Sequence, residues 1–352
     1  MKKFGIYIHW PFCLSKCPYC DFASTPCRAV DEKLLLSGYI RDLKKLPLQP
    51  VTSVFFGGGT PSMMSEELLE KILFQIQQDF GFAPDIEISL EANPDAITKE
   101  KMLSFKQIGV NRLSLGVQAL NDADLKFLGR IHSAKTALTR IEQMHQIFDN
   151  CSVDLIYARP DQTIGAWEKE LKQVLSFDLP HISLYQLTIE EGTAFEKKGI
   201  EAVDDEIARK LYLKTFEMME QAGVPLYEVS NFAKKGFECR HNLLDWEGDD
   251  YAGIGPAAHG RLGLIATENP KSVADWIKKG SFQIRLSAGE RFEEKLLMGL
   301  RLRKGMSATG IHPDKLEEAV RKGWLFYDAR NSWMAPTMEG LLMLNQLILL
   351  LV

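Results

Sequence analysis

The sequence has no long apolar run, no excess of basic charge, no pair of cysteine knuckles and no low-complexity segment. Each absence removes a class of function. The C-terminal run "LLMLNQLILLLV" (341–352) has twelve residues and is broken by Asn345 and Gln346. As a helix it would reach roughly 18 Å, against a hydrocarbon core of about 30 Å. It reads as a terminal helix packed on its own domain, so no integral membrane segment is expected. Lys2 and Lys3 precede apolar residues, but "FGIYIHW" (4–10) alternates like a strand and is too short for a secretion signal. A cytoplasmic location is therefore expected. Lys and Arg number 42 against 47 Asp and Glu, a net charge of −5 with the signs interspersed. That balance carries no nucleic-acid footprint, and no nucleic-acid partner is expected.

Cysteine is scarce, at six in 352 residues. Three of the six crowd into "CLSKCPYC", at Cys13, Cys17 and Cys20, while Cys27, Cys151 and Cys239 are scattered. Without a secretion signal, clustered thiols point to a metal and away from disulfides. A structural zinc site or a cubane iron–sulfur cluster usually takes four protein ligands. Here three stand together and no second C-x-x-C follows. On the residues alone two readings stay open. Either a distant His or Cys completes a zinc site in an interaction protein, or a [4Fe–4S] cluster keeps one iron open to a small molecule.

What is abundant is alternation of strand and helix. Strand-like runs lie at 4–10, 51–59, 85–93, 111–118, 151–157 and 181–188, apolar and mostly ending in glycine or polar residues. Helical patterns separate them. "SEELLEKILFQIQQDFG" opens on Ser65 as a candidate N-cap and closes on Gly81, and "ITKEKMLSFKQIG" closes on Gly109 in the same way. Six β/α units of this kind predict an α/β fold with a parallel sheet and right-handed crossovers. The polar residues Gly57 to Thr60, Glu91, Gln118, Asp154 and Thr188 fall late in their strands, which favours a partial (β/α)6 barrel with a site on that rim. The expected organisation is a barrel core over 1–224, an extended loop or hairpin region over 225–285, and a small C-terminal α+β winged-helix-like domain over 286–352. The last is expected to serve structure or interaction.

The C-x-x-x-C-x-x-C spacing after the first strand, followed by "GGGTPS", resembles the radical S-adenosylmethionine (SAM) family. The resemblance implies a [4Fe–4S] cluster on Cys13, Cys17 and Cys20, with SAM chelating the fourth iron. It also implies that Tyr7 and Tyr19 border the cofactor, that Gly58, Gly59 and Thr60 hold SAM, and that Glu91 meets it from the third strand. The segments "IYIHWPFC", "EANPD", "RLSLGVQALND", "LGRIH", "VDLIY", "YEVSNFA", "HNLLDW" and "GIGPAAHG" are similar, in order, to the oxygen-independent coproporphyrinogen oxidase group. Within that group they resemble its haem-chaperone branch over nearly the whole chain. Gln118, Arg130 and Asp154 match positions that contact a second SAM in the group's decarboxylase.

Two features favour the haem-chaperone branch over the decarboxylase. Phe22 stands where the decarboxylase pattern has a further Cys, and twelve residues precede Cys13. The branch carries H-N-x-x-Y-W, and this chain has His241, Asn242 and Trp246 with Asp245 at the Tyr position. "DLIYARP" likewise stands where D-L-I-Y-G-L-P is usual. The resemblance implies haem as ligand, His241 as its candidate axial ligand, and a haem-acceptor protein as partner. Contact with a membrane surface or a respiratory protein goes with it, and monomer and homodimer both stay open. The alternatives are a tetrapyrrole-modifying radical SAM enzyme and a zinc-stabilised interaction protein. Coproporphyrinogen oxidase activity is not expected.

Overall fold

The computed structural model describes residues 3–352. Six strands build the heart of the molecule: β1 (Phe4–Trp10), β2 (Val51–Gly58), β3 (Phe82–Ala92), β4 (Arg112–Gln118), β5 (Asn150–Tyr157) and β6 (His181–Gln186). They run parallel in sequence order. Helices return the chain between them: α1 (Glu32–Leu43), α2 (Glu66–Phe80), α3 (Lys99–Ile108), the short α4 (Asp122–Phe127), α5 (Ala134–Ile147) and α6 (Ile164–Leu175). The one-turn α7 (Ala194–Lys197) and the long α8 (Asp205–Gln221) follow β6. The α/β fold expected from the alternation is the fold found.

Local chemistry sets the helix ends. Ser65 Oγ accepts the Leu68 N–H at the start of α2, and Gly81 ends that helix at φ 72°. Thr98 caps α3, and Gly109 closes it at φ 119°. Both glycines sit in the left-handed region that a Cβ disfavours.

Side-chain alternation gives the sheet two different faces. Ile6, Ile8, Val54, Phe56, Leu90, Leu113, Leu115, Val153, Leu155 and Ile182 are buried against the helices, packed with Leu69, Ile72, Phe105, Ile141, Met144 and Leu171. The opposite face is polar. It carries Ser53 on β2, Glu87, Ser89 and Glu91 on β3, Arg112 and Ser114 on β4, Ser152 and Asp154 on β5, and His181 and Ser183 on β6. Parallel strands are usually apolar on both faces. A polar inner face therefore serves something other than stability.

The region 225–285, expected as an extended loop or hairpin region, holds antiparallel hairpins together with short helices and a strand parallel to β1. It forms β7 (Leu226–Glu228), β8 (Asn231–Ala233), α9 (Arg240–Trp246), β9 (Asp250–Ile254), β10 (His259–Leu262), β11 (Ile265–Glu268), α10 (Val273–Lys279) and β12 (Phe282–Arg285). These pieces are three to seven residues long. No full hydrophobic period fits in them, so the pattern could not show them. They extend the sheet at both ends, giving the order β12-β11-β10-β9-β1-β2-β3-β4-β5-β6-β8-β7. β9 joins β1 in parallel as a seventh parallel strand, with Phe4 opposite Asp250 and Ile8 opposite Ile254.

The tail holds α11 (Ala288–Gly299), β13 (Met306–Ser307), α12 (Pro313–Arg321), β14 (Leu325–Asp328), β15 (Trp333–Pro336), α13 (Met338–Leu342) and α14 (Leu344–Leu351). Its three strands pair in the order β13-β15-β14. Leu347, Ile348 and Leu351 of α14 pack with Leu296, Leu300, Leu316 and Met334 in a core of their own. Among the described residues no helix is long and apolar enough to cross a membrane.

Candidate functional site

The loop after β1 carries the three cysteines. Phe12 and Cys13 pair with Thr25 and Pro26, which folds the loop back on itself. The Cys20 N–H donates to the Cys17 carbonyl at 3.1 Å, a tight turn. The end of β2 holds the loop from below. The Gly59 N–H donates to the Trp10 carbonyl and the Thr60 N–H to the Phe12 carbonyl, both at 2.7 Å.

The glycine run makes room chiefly for protein. A Cβ at Gly58, which has φ 108°, would lie 2.6 Å from the His9 ring, and one at Gly59 would lie 2.3 Å from the Phe12 carbonyl oxygen. Glycine there lets the cysteine loop seat directly on the strand end.

A cavity of about 320 Å³ opens at this rim. Cys13, Cys17, Cys20 and Tyr19 line it, together with Gly58, Gly59, Thr60, Glu91, Gln118, Arg130 and Asp154. Eleven of the thirteen residues singled out from the sequence thus meet in one place. Asn93, Lys16, Ser24 and Tyr185 line it as well, and motif reading had missed them. Burial pushes the Cys13 and Cys20 thiols up from their ordinary range. Arg130 reaches the third cysteine. Its Nη1 donates to Cys17 Sγ at 3.5 Å, while Nη2 donates to Asn93 Oδ1 at 2.7 Å and to the Gly116 carbonyl at 2.8 Å. The guanidinium is thus fixed by two oxygen acceptors with its third contact on the Cys17 sulfur.

Tyr7 and His241 are the two that lie elsewhere. The Tyr7 hydroxyl shares a hydrogen bond with His9 Nδ1 at 3.0 Å, and its ring stacks on His241 at 6.1 Å. His241 sits at the opposite end of the sheet's inner face, on α9, which replaces the loop expected there. Its Nδ1 shares a hydrogen bond with Ser53 Oγ at 3.1 Å, and Phe55 stacks on it at 5.1 Å. Burial holds its pKa down to about 4, so the imidazole is neutral at ordinary pH. It borders a second cavity of about 330 Å³ with Asn242, Asp245, Trp246, Glu228 and Asn231. Tyr185 lines both cavities.

Buried carboxyls connect the two ends. Burial, reinforced by Asp154, pushes Glu91 up to about 8, although the Gly58 N–H donates to it at 3.2 Å. Burial also raises Glu228 to about 7 and Asp245 to about 6. These groups bind more protons folded than unfolded above the ordinary carboxyl range, so stability falls as pH rises. Neutral His241 acts oppositely, but only below its unfolded pKa of about 6.5. The melting temperature of cofactor-free protein is therefore expected to fall between pH 6.5 and pH 8. Glu228→Gln should flatten that fall, and a flat wild-type profile would contradict the burial assigned to these acids.

Residues 7–174 match the family model of the radical SAM superfamily. Radical S-adenosyl methionine domain-containing protein 1, a mitochondrial protein of Bos taurus, is 34% identical over 371 residues, spanning 98% of this chain and 83% of the bovine one. The haem chaperone HemW of Bacillus subtilis is 36% identical over 345 residues, spanning 90% of this chain and 91% of its own. The chain belongs to the radical SAM superfamily, in its HemW group. The solved structure of coproporphyrinogen III oxidase, HemN, from Escherichia coli superposes with a TM-score of 0.83 at 18% identity, over 99% of this chain and 90% of HemN. That likeness shows a shared fold.

Membership implies a [4Fe–4S] cluster and SAM, and the rim cavity fits them. Three thiols line one wall and a fixed guanidinium touches one of them. Among the described residues, no three His, Cys, Asp or Glu side chains stand as a cage for a single ion. A cubane spreads its thiolates over separate irons and does not need such a cage.

Proposed function

We propose that this protein is a haem chaperone that carries a SAM-ligated [4Fe–4S] cluster and passes haem to an acceptor protein. Cys13, Cys17 and Cys20 hold the cluster. Gly58 to Thr60, Glu91, Gln118, Arg130 and Asp154 surround SAM. When bound, the pair supplies one-electron chemistry at the sulfonium. The chain's own part is to seat the cysteine loop, place Arg130 against the Cys17 sulfur, and exclude bulk water from the inner face.

One observation carries the haem assignment. The H-N-x-x-x-W motif lines a cavity of its own, away from the cysteines, in a chain 36% identical to a haem chaperone. His241 uses Nδ1 on Ser53, which leaves Nε2 as the atom for iron. The ring is buried, so iron would reach Nε2 only with a displacement of α9.

Purified protein is expected to take up about one equivalent of haem. His241→Ala should weaken uptake or shift the haem absorption bands, while cluster content stays intact. Conversion of coproporphyrinogen to protoporphyrinogen without haem uptake would replace this reading with that of a tetrapyrrole-modifying enzyme. Reconstitution that yields zinc protein without visible absorption would favour the interaction protein.

A further inference from the structure

Arg159 follows β5 in the segment "DLIYARP" and no role in cofactor or haem binding accounts for it. It is among the largest fully buried side chains of the protein, at 2% exposure. A buried guanidinium is costly unless it is paired, and here both terminal nitrogens are paired while Nε has no partner among the described residues. Its Nη2 binds Glu170 of α6, itself buried, and pairs with Asp124 of α4 at 3.0 Å. Its Nη1 donates to the Gln118 carbonyl at 3.4 Å and to Glu170 Oε1 at 3.4 Å. Glu170 Oε1 in turn accepts the Leu120 N–H at 2.6 Å.

Apart from Glu170 itself, the groups held by this pair fall on one stretch. Gln118 ends β4 at φ 74°, a left-handed conformation that a residue with a Cβ rarely adopts unaided. The strand pairing slips there, between Gly116 and Gln118. The chain then runs through Leu120 and α4 to Gly129, at φ 70°, and Arg130. A Cβ at Gly129 would lie 2.4 Å from Pro18, inside the cysteine loop. The segment 118–130 thus begins and ends on side chains that line the rim cavity. Nothing else described fixes both its first carbonyl and its helix to the body of the protein through one side chain.

We propose that Arg159 and Glu170 are a positioning pair for the SAM site. The pair holds the Gln118 carbonyl, the Leu120 amide and the first turn of α4 in one buried clamp. It thereby sets where Gln118 and Arg130 stand against the cofactor, although neither Arg159 nor Glu170 lines the cavity. The proposal rests on the reading of Gln118 and Arg130 as SAM-facing residues.

Arg159→Leu alone leaves Glu170 as a buried, poorly paired carboxylate and is a weak test, because it could simply unfold the chain. Arg159→Leu/Glu170→Gln removes the clamp without stranding a charge and leaves an acceptor for Leu120. Arg159→Lys keeps the charge but has no fork to span both partners. Four quantities are measured on reconstituted protein: melting temperature, iron content, SAM affinity by equilibrium dialysis, and the SAM-induced change in the reduced cluster's EPR spectrum.

The double variant is expected to keep its iron and its cooperative melting. It should lose SAM affinity by about 10- to 100-fold, by analogy with the loss when partners behind metal ligands are removed. Its EPR response to SAM should be altered, and hydrogen exchange at the Leu120 amide should speed up in the cofactor-free protein. Arg159→Lys should fall between the wild type and the double variant. Gln118→Ala is the reference. If Gln118→Ala weakens SAM and the double variant does not, the clamp is wrong while the SAM site stands. If SAM binding ignores both, the placement of Gln118 falls and the clamp falls with it.

Discussion

Cys17→Ala is expected to leave the protein without its iron–sulfur cluster. Reconstituted under anaerobic conditions, the variant should lack the iron, labile sulfide and broad visible absorption of the wild type. The same holds for Cys13→Ala and Cys20→Ala. Cys17 carries the sharpest form of the test because Arg130 donates to its sulfur at 3.5 Å. No other group near the loop offers a replacement thiolate in that position. The remaining cysteines are the controls. Cys151 and Cys239 are fully buried, Cys151 on the helix-facing side of β5 and Cys239 at the far end of the inner face, and burial pushes both thiols up to about 12. Cys27 is nearer, since its N–H donates to the Cys13 carbonyl at 3.0 Å, yet its thiol faces the Ala29 carbonyl. Substituting any of these three by Ser should leave iron loading unchanged. Full iron in Cys17→Ala would sink the assignment of the cluster to these residues.

Gly59→Ala is expected to disable the site almost as completely, although it adds one methyl group. That methyl would stand 2.3 Å from the Phe12 carbonyl oxygen and 2.7 Å from its carbon. Both are backbone atoms, so no side chain can turn aside. The strand end or the cysteine loop must move, and Phe12 is the residue before Cys13. Cluster yield should drop steeply, and whatever cluster forms should respond weakly to SAM. Gly165→Ala is the matched control. It lies in α6 with no atom within 4 Å of the added methyl and without a positive φ. That change should be neutral or stabilising by up to ~1 kcal/mol. Equal iron content in Gly59→Ala and wild type would show that the loop tolerates displacement.

Much of the site was legible because its chemistry is written in contiguous motifs. Cys13, Cys17 and Cys20 lie within eight residues, and the glycines that seat their loop lie together in another short run. The strands and long helices were legible for a different reason: each spans a full period with its own capping residue, as Ser65 and Gly81 do for α2. The region from 225 to 285 failed on both counts. Its strands have three to five residues, and β9 is recognisable only by the partner it finds in β1. The glycine run showed where backbone comes close, but not to what, and the neighbours proved to be His9 and Phe12. Arg159 was visible only as a departure from a pattern. Its partners Glu170, Asp124 and the Gln118 carbonyl are brought to it by folding over separations no motif spans.

The two-faced sheet has a consequence for anyone who substitutes every position in turn. Along β1, β2, β3 and β6 the inward side chains carry odd numbers, as Tyr7, Ser53, Glu91 and Ser183 do, and along β4 and β5 they carry even ones, as Ser114 and Asp154 do. Their neighbours, such as Ile8, Val54, Leu90, Leu115 and Val153, belong to the apolar layer. In a complete substitution library scored once for abundance and once for cofactor loading, adjacent codons should therefore sort into different phenotypes. Truncating an outward residue should deplete the protein, and truncating an inward one should leave soluble protein that loads poorly. The parity of that stripe would read out, strand by strand, which side chains face inward, from the two scores alone.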